Sequence, residues 1–409
     1  MAQTQFKTER STIALKKKSS LFFIILAEPR YNNKNFKENP LGYSKKPYVR
    51  SFGEKVFLPL FLLATLLGYI AIKYPLVLSK FNIIQNPSDL YFLGKEPSFW
   101  YMLIYTLIVC GIALNVLIKK KGVYGKGKKK LSRYQQSKFI SIFLTQLIFF
   151  FIIPFIVPSL ITDRPFFNDP VTQLNKDHYI YISKGLTSWS AFTYIFLIVP
   201  LSVWLFGKRY CSWFCSCGNL AEVIGVTKWG AAWVRHKTPT GKMANKMEHL
   251  QTAFLIGGLI FGLILFLDIT KIFASDNLMM AGRFYNDFVV DFIFGAIIGI
   301  GAYPFLGTRV WCRYGCPLAK GMELFGRHVT SKFQVVANQK CIGANLCSEA
   351  CPMGIDVASY AHKNKVPLEG SFGLDKSPCV GCGGCIDICP VDALSFEPIS
   401  LIKKKSKLS

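Results

Sequence analysis

Apolar and polar stretches alternate along the first three quarters of the chain. Six apolar stretches are long enough to cross a bilayer as helices, which takes about 20 residues each. They are Val56–Leu78, Trp100–Ile118, Phe139–Ile161, Trp189–Phe206, Thr252–Ile269 and Phe288–Leu306. Six such runs in one chain are hard to bury in a water-soluble core, so the pattern predicts six transmembrane helices. After Leu306 the long runs stop, and cysteine, glycine and proline punctuate shorter segments. That shift predicts a compact domain outside the membrane.

The polar stretches between the runs differ in charge. Segments 1–55, 119–138 and 207–251 carry 12, 9 and 7 Lys and Arg, whereas 79–99, 162–188 and 270–287 carry 2, 3 and 2. Basic loops stay on the cytoplasmic side. Both termini are therefore expected in the cytoplasm. The net charge of +26 then reflects topology and contact with membrane lipid. No nucleic-acid partner is expected, even for the run GKGKKK at Gly125–Lys130. The short apolar run Leu21–Ala27 lacks a clear small-residue cleavage site after it, and reads as an uncleaved arm on the membrane surface.

Thirteen cysteines change the picture from a bundle to a redox or metal protein. Their close spacing favours metal or cluster ligation over structural disulfides. Cys110 stands apart inside a membrane helix and reads as a small packing residue. Cys211, Cys215, Glu222 and Gly225 recur as Cys312, Cys316, Glu323 and Gly326, a repeat of the form C-x3-C-x6-E-x2-G. An arginine stands just ahead of each motif, Arg209 and Arg309. Both motifs fall where an outside-to-inside helix meets the cytoplasm. On a helical turn, residues i and i+4 share a face, so Cys211, Cys215, Cys312 and Cys316 can serve one cluster, one metal ion or two redox dithiols. Cys217 is an extra thiol and a further candidate ligand.

The strongest motif is CVGCGGCIDICP, in which Cys379, Cys382, Cys385 and Cys389-Pro390 follow the bacterial iron–sulfur spacing C-x2-C-x2-C-x3-C-P. An earlier segment follows the same frame with Cys341, Cys347 and Cys351-Pro352, but Ala344 occupies its second cysteine position. In two-cluster ferredoxins the fourth cysteine of each run serves the other cluster. Cys351 then joins Cys379, Cys382 and Cys385 around a 4Fe–4S cluster. Cys341, Cys347 and Cys389 are left as three ligands, which suits a 3Fe–4S cluster or a 4Fe–4S cluster with one non-cysteine corner. Cys217 is a candidate donor for that corner.

At these motifs the chain resembles the membrane polyferredoxins that include NapH, NosR and CcoG proteins. The resemblance runs over about 190–395. Two features depart from the pattern: Ser216 follows the first motif where proline is usual, and Ala344 replaces a ligand. With neither a flavin domain nor a C-terminal extracytoplasmic domain in view, a NapH-like or NosR-core form fits best. The expected fold is mostly α, a six-helix transmembrane bundle followed by a cytoplasmic two-cluster ferredoxin-like α+β domain. The expected divisions are a basic arm at 1–55, a membrane domain at 56–306 with its cysteine loop at 207–250, the second motif at 307–335, the ferredoxin-like domain at 336–395 and a basic tail at 396–409.

The resemblance implies electron transfer between a quinone/quinol pool or cytosolic donor and a respiratory reductase, within a complex of redox partners. The rival is a maturation factor that reduces or handles metal for a metalloenzyme; a third alternative is a scaffold with structural clusters. No nucleophile–base pair or nucleotide loop is present, so no catalytic residue is assigned. Asp268 and Asp291 are expected at similar depth near the outer face, as candidates for proton or quinone chemistry.

Overall fold

A computed structural model of the chain describes residues 50–73, 90–121, 123–124, 130–157, 181–184, 186, 189–234, 237–239, 242–272, 275–329, 333–363, 366–367 and 370–398. The arm at Leu21–Ala27, most of Gly125–Lys130, the basic tail past residue 398 and the ends of the first and third apolar runs lie outside the described residues.

Six helices are long and apolar enough to cross a membrane: Phe52–Ile70, Pro97–Lys119, Arg133–Ile156, Ala191–Trp213, Lys246–Ile269 and Asp276–Gly301. They are called the first to sixth spans below. Local chemistry sets their ends. Pro97 opens the second span, where a missing N–H costs nothing. Ser132 caps the third by accepting the Gln135 N–H at 3.3 Å. The third span widens into i→i+5 turns over Thr145–Ile156, and the sixth over Phe284–Gly301. The first span exposes Val56, Phe57, Leu60, Leu63 and Leu67 on its outside. That three-to-four residue rhythm is an apolar face turned to lipid. On the inside, Tyr105, Val109, Phe139 and Ile142 pack with Leu220, Val223 and Tyr303. Cys110 is buried as expected, with its thiol 3.7 Å from the Phe143 carbonyl.

Gly207, within the fourth span, and Gly307, just past the sixth, redirect the chain with φ of 65° and 87°. Only glycine takes such φ readily. A β carbon at Gly207 would also lie 2.6 Å from the Phe333 ring, and one at Gly307 2.6 Å from Thr238 Oγ1.

The C-terminal domain has a small antiparallel sheet. Strand β1 (Phe333–Ala337) lies between β2 (Ser371–Gly373) and β3 (Leu394–Pro398), with Val335 opposite both Phe372 and Phe396. The alternate residues Phe333, Val335 and Ala337 point into the core. That core does not stop at the domain edge. Val203, Phe254, Trp311 and Met322 share one buried cluster with Phe333, Val335, Met353 and Phe372. Each such side chain contributes about 1.5–3 kcal/mol when fully buried, so the domain is docked on the ends of the spans rather than tethered beside them.

Candidate iron–sulfur and thiol site

The two cysteine repeats fold alike. Each first cysteine, Cys211 or Cys312, is buried in a short helix, Tyr210–Trp213 or Val310–Tyr314. Each second cysteine, Cys215 or Cys316, stands at the N-cap of a longer helix, Ser216–Val226 or Pro317–His328. The Cys316 sulfur accepts the Ala319 N–H at 3.4 Å. The repeats bring all four thiols together: burial pushes Cys316 well above the ordinary thiol value, and the charges of Cys211, Cys215 and Cys312 add to it. Cys215 moves the other way, down to about 7. The Cys217 thiol is the main cause, helped against burial by the N–H groups of Gly218 and Cys217 and by Arg309. Cys217 thus lies beside Cys215. Among the described residues, no three His, Cys, Asp or Glu side chains converge as ligands of a single metal ion.

Around the thiols lies a buried ionic layer. Glu222 pairs with Lys138 at 2.8 Å and with Arg309. Glu323 pairs with Lys208 at 3.7 Å, Lys320 at 3.1 Å and Arg327 at 2.7 Å. Burial alone would raise the Glu323 carboxyl, but Arg327, Lys320 and Lys208 outweigh it and bring it to about 2. Glu222 is likewise lowered by Lys138 and Arg309 against burial. Burial disfavours the Arg309 cation, yet Glu222 and Cys312 hold its pKa well above the usual value. The register corrects one expectation. Lys208, not Arg209, is the counterpart of Arg309, three residues ahead of the first cysteine. Arg209 instead lies over the rings of Tyr134, Phe333 and Phe396, at 5.2, 4.8 and 4.8 Å.

In the C-terminal domain Cys351, Cys379, Cys382 and Cys385 line one internal cavity, with Val335, Ile355 and Phe372 among its walls. Burial, then the three other thiols of this set, pushes Cys385 far up. Four soft thiols around one enclosed space fit a 4Fe–4S cluster, whose iron would replace their protons. The remaining three form a second group: burial raises Cys347 to about 12, with Cys341 and Cys389 adding to the rise. These three are half-buried.

The two cluster loops have the same backbone course. Gly381 and Gly383 have φ of 63° and 78°, and the matching Gly343 and Asn345 have 71° and 54°. Ala344 therefore sits where a ligand-bearing residue would sit, in a loop that retains the shape of its intact twin. Cys382 is buried, whereas Ala344 is exposed, so the corner without a cysteine faces solvent.

The membrane-domain helices hold the intact loop by its carbonyls. Ser212 Oγ donates to the Val380 carbonyl at 2.7 Å, and the Tyr134 hydroxyl to that of Gly381. Lys138 Nζ and Gln135 Nε2 donate to the Cys382 carbonyl at 2.9 and 3.0 Å. From the second repeat Arg313 donates to the Met353 carbonyl, and from the segment ahead of the fifth span Thr238 donates to that of Pro352 at 2.7 Å. Ser212 and Arg313 each follow the first cysteine of their repeat. Sequence reasoning missed these residues and Lys138, which it counted only as loop charge.

Asp291 also departs from expectation. It is not at the outer face but buried, 6% exposed, well inside the sixth span. It lines a narrow crevice of about 50 Å³ with Tyr69, Tyr101, Tyr105, Cys217 and Trp311. The expected partner Asp268 is half-exposed near the end of the fifth span.

Residues 340–393 match the family of 4Fe–4S dicluster domains. The chain is 22% identical over 245 residues to the ferredoxin-type protein NapH of Haemophilus influenzae, covering 58% of this chain and 78% of that protein. It is 27% identical over 203 residues to an uncharacterized protein of Methanocaldococcus jannaschii, covering 49% of this chain and 76% of that protein. The methylamine utilization ferredoxin-type protein MauN of Methylobacillus flagellatus is 25% identical over 162 residues, 38% of this chain and 52% of that protein. No solved structure matches. The dicluster domain, the six apolar helices and the NapH-type relatives together support a NapH-like membrane polyferredoxin, an iron–sulfur electron-transfer protein.

Proposed function

We propose that this chain is the membrane-anchored electron carrier of a respiratory complex, moving electrons between a quinone/quinol pool or a cytosolic donor and a partner reductase. The observation that carries this is the gradation of burial across the two cysteine sets. The Cys341, Cys347 and Cys389 set is half-buried throughout, whereas three of the four inner thiols, Cys351, Cys379 and Cys382, are buried against the span ends and Cys385 is half-buried. An exposed outer set suits exchange with a soluble partner. A buried inner set held by Ser212 and Arg313, each next to the first cysteine of its repeat, suits exchange with the membrane. When bound, the clusters supply one-electron chemistry; the protein sets their position and surroundings. The Lys and Arg distribution supports cytoplasmic termini in an inner membrane.

A lipid-side groove of about 470 Å³ suits a quinone ring. It is lined by Ile70, Met280, Phe284, Phe288 and Phe292, with Arg283 and Asp287 as polar groups. Its size falls in the range of small-molecule sites. Phe292 packs at a tilt against Tyr69, 5.3 Å between ring centres, and Tyr69 lines the crevice that reaches Asp291 and Cys217. The crevice is too narrow for a ring but has room for water, so Asp291 would handle protons there. The names NapH and MauN, both ferredoxin-type proteins, support a partner complex.

Anaerobically purified protein tests this with a short-chain quinol as sole reductant. Reduction of the cluster absorbance within the time of mixing supports the proposal. No reduction by quinol, combined with stoichiometric copper binding lost on Cys312→Ser, would instead support the maturation role.

A further inference from the structure

We propose that Lys138, Ser212 and Arg313, all outside the ferredoxin-like domain, are positioning residues that raise the reduction potential of the inner cluster. This rests on the reading above that Cys351, Cys379, Cys382 and Cys385 hold a cluster.

The problem they solve is electrostatic. A cluster on four thiolates is anionic and gains another negative charge on reduction. Burial penalises that extra charge, and Cys351, Cys379 and Cys382 are all buried. A buried site that is to accept an electron therefore needs fixed positive charge or inward-pointing N–H dipoles.

Both devices are present, and both come from the membrane-domain side. Lys138 stands between Glu222, at 2.8 Å, and the Cys382 carbonyl, at 2.9 Å. Arg313 stands between Glu248, at 3.3 Å, and the Met353 carbonyl. In each case the cation touches the cluster loop and the carboxylate touches the cation. Arg209 adds a third positive charge: its Cγ would lie 2.7 Å from a β carbon at Gly381. Among the described residues it makes no ion pair.

Ser212 acts through a dipole. The peptide between Val380 and Gly381 is held at both ends, its carbonyl by Ser212 at 2.7 Å and its N–H against Cys379 Sγ at 3.4 Å. Tyr134 holds the next carbonyl, and Lys138 with Gln135 the one after. The intact loop is thus pulled by its oxygen side, and its N–H side faces the sulfurs. The corresponding carbonyls of residues 342–344 in the outer loop receive no such bond among the described residues, so the effect is confined to the inner cluster.

The test is a redox titration of the full-length protein in detergent, with dithionite as reductant and paramagnetic resonance as readout. Cys347→Ser identifies the outer signal. Lys138→Met should make reduction of the inner cluster at least tenfold less favourable, a downward shift of about 59 mV for one electron. The outer potential should not move, and Lys138→Arg should restore most of the loss. Ser212→Ala should shift the inner potential down by less. It keeps every charge, so it serves if Lys138→Met fails to retain iron. An inner potential unchanged in both variants, with both clusters present, would overturn the inference and leave the quinol test untouched. Absence of cluster signals in the wild type would instead defeat the functional reading itself.

Discussion

Lys208 and Arg309 hold the same place in the two cysteine repeats, and each crosses over to the glutamate of the other. Lys208 Nζ lies 3.7 Å from Glu323, and Arg309 is paired with Glu222. All four side chains are at most 3% exposed. Exchanged pairs of this kind interlock the ends of the fourth and sixth spans. Each repeat thus lends a cation to the buried glutamate of the other, beside the cations Lys138 on Glu222 and Lys320 and Arg327 on Glu323.

Glu222→Gln tests that interlock. It leaves Lys138 and Arg309 as buried cations without their shared carboxylate. Breaking a buried pair from one side costs about 3–5 kcal/mol. Thermal unfolding in detergent should fall accordingly, and iron should be lost from the inner cluster first, because Lys138 also holds the Cys382 carbonyl. Unchanged melting would mean that the layer is not cohesive.

Acid should loosen the same layer through Glu323. Its folded value of about 2 lies below the ordinary 4.5. A depressed carboxyl stabilises the fold fully above its unfolded value, and the contribution drains away as pH falls towards the folded one. The wild type should therefore lose stability between about pH 4.5 and pH 2. Glu323→Gln should be less stable at neutral pH and show a flatter decline over that window. Parallel acid curves for the two proteins would remove Glu323 from the account.

The solvent-facing corner at Ala344 predicts a 3Fe–4S cluster on Cys341, Cys347 and Cys389. Paramagnetic resonance of the oxidised protein should show its signal. Ala344→Cys should abolish that signal and yield a second 4Fe–4S cluster, because the loop already has the backbone of its intact twin. Two ordinary 4Fe–4S clusters in the wild type would contradict this.

The four repeat thiols are expected to work as one site. Cys211→Ser and Cys312→Ser should slow quinol-driven reduction by similar factors, while both tail clusters retain their signals. If either variant matches the wild type, the repeats act separately.

Asp291→Asn should leave dithionite reduction of the clusters intact and slow reduction by quinol at least tenfold. Ionisable groups inside a span are costly to retain and are commonly functional. Wild-type quinol kinetics in this variant would assign Asp291 a packing role.

The cysteine frame and the six spans were legible in the sequence, because both rest on local spacing. Ser212, Lys138 and Arg313 were not, because their partners lie 168, 244 and 40 residues away. Spacing alone does not say which loop a helix end will meet. Asp291 was misplaced for a different reason. Asp276, Arg283 and Asp287 lower the local hydropathy, so the sixth apolar run was started at Phe288 instead of Asp276. Those three side chains are exposed on the outside of the helix, and to an average over neighbours such a polar stretch looks like the end of a helix. The mate of Arg309 was taken as Arg209 by residue type, whereas strict register points to Lys208.

The roof over the inner cluster also orders the biogenesis of the protein. Cys351, Cys379 and Cys382 lie beneath Ser212, Lys138 and Arg313 once the tail has closed. A carrier delivering iron and sulfide cannot reach thiols in that position. If loading comes before closure, closure in turn waits until the spans are inserted, because the roof is built from their ends. A chain starved of iron would remain open, with Phe333, Val335 and Phe372 uncovered. Such a chain presents the apolar surface that quality-control proteases recognise, so iron supply would govern how much of the protein accumulates as well as how much of it works.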